Sequence, residues 1–325
     1  MRRRDLIALI GLTTAFRPLA AMAQAKLPTI GYFSTRSPEA EVPIQAPFLK
    51  RLEDAGFIVG RNVAIEYRFA EGQLDRLPLL AAELAGRQPA VLVATEPAAA
   101  LAAKAVSVTI PIVFTSGQDP VRLGLVASLS RPAGNATGMS LFTSELGPKR
   151  LGLLREILPK PGIVAFVVDP KSLTAPAQIK ELKAAAQAID QPILVLEARS
   201  DDEIEKAFAT MAERRVSGLF YGTSTFFQVI ADQLVALAAL HRIPALYEWR
   251  EFVAAGGLMS YSTSRTEVGL QLGDYVARIL KGATPAELPV VQSTRFEFVI
   301  NLKTAKALGL TLPQSLLARA DEVFE

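Results

Sequence analysis

From residue 27 onward, short β-branched and aromatic runs alternate with longer stretches of helical period, and they do so in two successive series. The first series predicts strands at 30–33, 63–67, 91–94 and 112–114. Between them lie an apolar stripe at Phe48, Leu49, Leu52 and Ala55 stopped by Gly56, a second at Leu77, Leu80, Ala81 and Leu84 stopped by Gly86, and an alanine-rich helix over 97–105. The second series starts near Ser144. Leu151, Leu154, Ile157 and Leu158 make a helix ending at Pro159, and residues 163–168 are almost wholly apolar, as a strand covered on both faces must be. A helix through Ile179, Leu182 and Ala186 leads to a strand at 193–196. Ser200-Asp201-Asp202-Glu203 reads as a capping box, opening a helix that buries Ile204, Ala207, Phe208 and Met211. Strands at 219–221, 245–247 and 258–261 and a helix over 229–240 complete the series. Strands separated by helices require parallel sheets with right-handed crossovers, so two such series predict an α/β chain with two doubly wound parallel-sheet lobes. A turn-rich segment at 131–135 separates them. The tail adds a long amphipathic helix through Val268, Leu272, Tyr275, Val276 and Ile279, closed by Gly282, then a strand at 296–300 and a helix at 304–308.

A length of 325 residues suits two domains. The absence of cysteine excludes disulfides, thiolate nucleophiles, thiolate zinc sites and an N-terminal lipid anchor, so the chain is not expected to be a lipoprotein. The single histidine, His241, closes a predicted helix and reads as a surface or capping residue; a histidine-rich metal site is excluded. Residues 1–25 have the plan of a cleavable secretory signal: basic Met1 to Arg4, a short apolar run from Leu6 to Phe16, then Ala21-Met22-Ala23 and Ala23-Gln24-Ala25. That run is about half the ~20 residues a spanning helix needs. Arg3-Arg4 also resembles a twin-arginine export signal. Arg2, Arg3, Arg4 and Arg17 against Asp5 account for the whole net charge of +3. The remainder is neutral and carries no electrostatic footprint for nucleic acid or an anionic membrane. A periplasmic location is expected.

No dinucleotide fingerprint, Walker loop or nucleophile elbow occurs, and no cofactor is expected. In open parallel sheets, ligands bind outside the carboxyl ends of the strands. The residues there include Ser34 and Thr35; Thr95 and Glu96; Thr115, Ser116 and Asp119; Asp169; Thr223 and Ser224; Tyr247 and Glu248. Hydroxyls suit a carboxylate, Asp and Glu an ammonium, and aromatic rings an apolar side chain, so a zwitterion such as an amino acid matches. Glu96-Pro97, Asp119-Pro120 and Asp169-Pro170 also place an acid before proline, which is how helices and turns begin; for these acids, capping and ligand contact both remain open. Trp249 stays equally open.

The chain resembles the ABC-transporter substrate-binding proteins of the group that includes tryptophan- and tyrosine-binding members. The resemblance is carried in order by Gly56-Phe57-Ile58-Val59-Gly60-Arg61-Asn62-Val63, Tyr67-Arg68-Phe69-Ala70-Glu71-Gly72, Ile110-Pro111-Ile112-Val113-Phe114 with Asp119-Pro120-Val121, and Leu129-Ser130-Arg131-Pro132-Ala133-Gly134-Asn135. Ala255-Gly256-Gly257-Leu258-Met259-Ser260-Tyr261, Ile300-Asn301-Leu302-Lys303 and Ala318-Arg319-Ala320-Asp321-Glu322-Val323 continue it. It implies a type I periplasmic-binding fold crossed three times by the chain, with lobe one over 27–140 plus 264–282 and lobe two over 141–260 plus 285–325. It implies a monomer that binds a small-molecule ligand without catalysis and passes it to an ABC permease and ATPase. It also implies that Ser34, Thr95, Asp119, Asp169, Thr223 and Ser224 correspond to cleft positions. Two other readings use the same residues. A ligand sensor would present the same clamp to a receptor. A periplasmic hydrolase would need a poised base and nucleophile, which hydroxyl–acid pairs alone do not supply.

Overall fold

The computed structural model describes residues 27–141, 143–158 and 162–325. The predicted leader at 1–25 lies outside the described residues. The chain begins with β1 (Thr29–Ser34), α1 (Pro38–Asp54), β2 (Ala64–Phe69), α2 (Leu77–Gly86), β3 (Val91–Thr95), α3 (Pro97–Val106), β4 (Ile112–Ser116) and β5 (Ala136–Ser140). It then crosses to α4 (Gly147–Ile157), β6 (Val164–Val168), α5 (Ala175–Ala188), β7 (Ile193–Glu197), α6 (Asp201–Glu213), β8 (Gly218–Tyr221), α7 (Thr225–Val229), α8 (Ala231–Leu240), β9 (Ala245–Tyr247), α9 (Arg250–Ala254) and β10 (Met259–Thr263). It returns through α10 (Arg265–Leu280) and β11 (Val291–Gln292), and crosses again to β12 (Phe296–Asn301), α11 (Leu302–Ala307), α12 (Gln314–Leu317) and β13 (Glu322–Phe324).

Two sheets result, ordered β11-β5-β4-β3-β1-β2 and β13-β12-β10-β9-β8-β6-β7. Every pairing is parallel except β10 with β12. The expected pair of doubly wound parallel-sheet lobes is therefore the fold. Central strands β3 and β6 are buried along their whole length because helices cover both faces, whereas β2, at a sheet edge, is half-buried throughout. The tail corrects one expected boundary. Val291–Gln292, assigned from sequence to the second lobe, pairs with β5 and extends the first sheet.

Helix α1 starts ten residues before its predicted apolar stripe. Ser37 caps it by accepting a hydrogen bond from the Ala40 N–H, and Pro38 occupies its first turn. Pro43 and Pro47 lie inside it and remove two backbone donors, a loss that normally ends a helix. Burial of Ile44, Phe48 and Leu52 against Val268, Leu272 and Val276 of α10 holds it together. The capping box at α6 differs from expectation by one residue. The Ser200 hydroxyl accepts from the Glu203 N–H at 3.3 Å, but the Glu203 carboxylate reaches past Ser200 to the Arg199 N–H at 2.6 Å. His241 caps the C-terminal end of α8, its ring 5.2 Å from that of Phe208.

Candidate functional site

The loops after β1, β3, β4, β6, β7, β8 and β9 converge on one cleft between the sheets, enclosing about 720 Å³ of empty space that is partly open to solvent. The first sheet contributes Thr35, Arg36, Glu96 and Thr115. The second contributes Asp169, Arg199, Thr223, Ser224 and Glu248, with Phe226 and Trp249 as aromatic wall.

Polar side chains tie the lobes together across this cleft. The Glu96 carboxylate accepts from the hydroxyls of Thr35, on its own lobe, and Thr225, on the other, the latter at 2.8 Å. The two threonine hydroxyls are 3.1 Å apart. Arg36 bonds Glu96 at 2.5 Å through one nitrogen and the Gln228 side chain of α7 at 2.9 Å through another. Arg265, which opens α10, reaches the same Gln228 oxygen at 3.2 Å and stacks its guanidinium 4.1 Å over the Trp249 ring. Arg199 donates to the Gly72 carbonyl of the first lobe at 3.4 Å, and the Gln118 amide donates to the Leu173 carbonyl of the second. The clamp is closed.

Beneath the first-lobe wall lies a buried charge cluster. Glu41 of α1, wholly inaccessible, accepts from the Tyr32 hydroxyl at 2.8 Å, the Ser34 hydroxyl at 2.9 Å and Arg36 at 3.0 Å. Burial alone would lower the Arg36 pKa, but the carboxylates of Glu96 and Glu41 outweigh it and hold Arg36 above the ordinary arginine value. Glu96 itself sits at φ 80°, ψ 154°, a backbone region that essentially only glycine enters. Side chains on both sides of the cleft hold it there, and such strain clusters at ligand clamps.

In the second lobe, Asp169 is bound by Arg199, by the Ser224 hydroxyl at 2.6 Å and by the Lys171 N–H at 2.9 Å. It thus caps its own turn and also faces the cleft. The Thr223 hydroxyl donates to Glu248 at 2.9 Å. Burial raises the Glu248 pKa above its ordinary value, against the opposing pulls of the Arg150 charge and the Thr223 hydrogen bond.

Of the residues chosen from sequence, Glu96, Asp169, Thr223, Ser224 and Glu248 line the cleft. The other five do not. Asp119 is 46 % exposed; it caps a surface turn through the Val121 N–H at 2.8 Å and pairs with Arg122. Ser116 is buried and closes a local turn by donating to the Gln118 carbonyl at 2.7 Å. Ser34 bonds Glu41 beneath the wall. Thr95 is wholly buried, its hydroxyl without a hydrogen-bond partner among the described residues. Tyr247 lies in the core, stacked on Tyr221 and Phe252 at 5.6 and 5.0 Å. Alternation explains Tyr247: the last residue of a strand faces one side of its sheet, and only the next can turn into the cleft. The sequence reading missed Arg36 and Arg199, two residues beyond their strand ends, and Phe226, five beyond, because loop geometry rather than strand alternation turns them into the cleft. Among the described residues no group of His, Cys, Asp and Glu could hold a metal ion, and no helix is long and apolar enough to cross a membrane.

Two parallel-sheet lobes closed over a polar cleft are the architecture of type I periplasmic binding proteins. A family model described as "ABC transporter substrate binding protein" matches residues 38–324, and the chain belongs to that family. A tyrosine-binding protein of Clostridioides difficile (strain R20291) is 24% identical over 263 residues, which are 81% of this chain and 75% of that one. The crystal structure of a conserved domain protein from Vibrio cholerae is 26% identical with a TM-score of 0.83, covering 92% of this chain and all of that one. An ABC domain from Streptococcus pneumoniae in complex with L-Trp has the same TM-score and coverage at 22% identity.

Proposed function

We propose that the chain is the solute-capturing component of an ABC importer, which closes two lobes over an amino acid or related carboxylate, delivers it to a membrane permease with its ATPase, and performs no chemistry on it. It would act in the periplasm as a monomer after loss of its leader. Lobe one would comprise residues 27–140 with 264–292, and lobe two the intervening segment with the tail. The observation that carries this reading is the set of hydrogen bonds spanning the cleft from Thr35, Arg36 and Arg199 to the opposite lobe. A ligand seated among groups that already meet from both sides binds the closed form better than the open one, and that difference drives closure. The walls present both charge signs, through Arg36 and Arg199 and through Glu96, Asp169 and Glu248, as a zwitterion requires. Phe226 and Trp249 suit an apolar side chain. The relatives that hold tyrosine and L-Trp make aromatic amino acids the first candidates.

The test is a melting screen of the mature protein against the twenty amino acids and their deaminated acids. A ligand at about a hundred times its Kd adds ~2.7 kcal/mol of stability by mass action. For a chain of this size that amounts to a rise of roughly 4 °C. At least one amino acid should produce it and be recovered unchanged. No shift with any of them, or turnover of the solute, would overturn the reading.

A further inference from the structure

The three carboxylates lining the cleft are not equivalent. Glu96 is engaged through both oxygens, by Arg36 on one and by Thr35 and Thr225 on the other. Both oxygens of Asp169 are likewise taken, by the Lys171 N–H on one and by Arg199 and Ser224 on the other. Glu248 is only 5 % exposed, yet one of its oxygens accepts a single hydrogen bond, from Thr223, and the other accepts none among the described residues. Its nearest cation, Arg150, stands 3.9 Å away, beyond hydrogen-bond reach. Arg150 is held back because its Nε donates to the Tyr261 carbonyl at 2.9 Å, and the nitrogen facing Glu248 is itself buried without a partner.

A carboxylate removed from water and left half-satisfied costs stability. At a fold's core such a group would normally be paired or replaced; on the wall of a binding cleft, the missing donor is the ligand. We infer that Glu248 receives a protonated amine of the solute, while Glu96, a ligand candidate from sequence on the same footing, serves instead as an internal tie between the lobes. Burial, which disfavours the bare carboxylate, makes its pairing with an incoming cation the more selective. The inference rests on the amino-acid reading above and deepens it: the cleft discriminates for an amine, through one residue.

The experiment compares wild type with Glu248→Gln using L-tryptophan, tryptamine, which keeps only the amine, and indole-3-propionate, which keeps only the carboxylate, each by calorimetry. Glutamine keeps the Thr223 hydrogen bond and removes the charge. Glu248→Gln should weaken L-tryptophan and tryptamine by at least about thirty-fold and leave indole-3-propionate unchanged. L-tryptophan and tryptamine binding equally well to both proteins, or indole-3-propionate weakened as much as they are, would overturn the inference while leaving the clamp intact. Failure of wild type to bind any of the three would instead overturn the amino-acid reading beneath it.

Discussion

Replacing Arg36 with methionine should lower the melting temperature of the unliganded protein by about 5–8 °C. Arg36 is 3 % exposed and serves three partners at once: Glu41 at 3.0 Å, Glu96 at 2.5 Å and Gln228 at 2.9 Å. Methionine fills similar space but leaves Glu41 charged in a site that water does not reach. Removing one partner of a buried pair costs roughly 3–5 kcal/mol because the other charge is stranded, and each kcal/mol is worth about 1.5 °C in a chain of this size. Lysine should not rescue it, since one ammonium cannot reach three carboxylate and amide partners in a guanidinium's geometry. Adding Glu41→Gln to Arg36→Met should restore part of the loss, because the glutamine oxygen still accepts from one of the Tyr32 and Ser34 hydroxyls and its amide can donate to the other, with no cation needed. An Arg36→Met protein melting within ~2 °C of wild type would mean that the cluster is not the keystone described here.

The second large effect is expected further along the same helix α1, where α10 returns to the sheet and lies against it. A β-carbon on Gly269 would sit 2.2 Å from the Ile44 carbonyl oxygen and 2.6 Å from Pro47, and one on Gly273 would sit 2.8 Å from the Phe48 carbonyl oxygen. These neighbours are backbone or a proline ring and cannot swing aside. Gly269→Val must therefore push the helices apart and open the core between Ile44, Phe48, Leu272 and Val276, for an expected loss of about 3 kcal/mol or more. Gly152→Ala supplies the control. It lies inside α4 with nothing within 4 Å of the added atom, and replacing a mid-helix glycine should stabilise by ~0.5–1 kcal/mol. Thermal or urea melts of the two variants compare them directly; equal stabilities would contradict the packing argument.

The same contact explains why the division of the chain between sheets was only partly readable from sequence. Local period identified most strands of both series, because each buried strand is a continuous apolar run bounded by turns. It did not find β5, whose Ala-Thr-Gly-Met-Ser is neither strongly apolar nor β-branched. Its glycine is dictated by its neighbour: a β-carbon on Gly138 would lie 2.0 Å from the Phe114 carbonyl oxygen of β4. Nor did it find β11 or β13, two and three residues long, which exist only because a partner strand is already in place. Pro43 and Pro47 hid the first half of α1, since tertiary burial there overrides a local rule. At the site, the strand-end rule located the cleft and half of its chosen residues. It failed where loop geometry decides: Asp119 turns outward to cap its own loop, while Arg36 and Arg199 turn inward from positions further along.

The central claim is that a solute closes the two lobes over itself. Because the chain has no cysteine, Leu79→Cys on α2 and Leu240→Cys on α8 place two labels at unique positions, one on each lobe. Both native side chains are largely exposed, at 64 % and 75 %. The distance between spin labels there is measured by pulsed electron resonance without ligand and with the amino acid that stabilises the protein most. Closure predicts a broad distribution without ligand that shifts and narrows to a single population on binding. A distribution identical in the two conditions, at ligand concentrations that calorimetry shows to be saturating, would contradict the account.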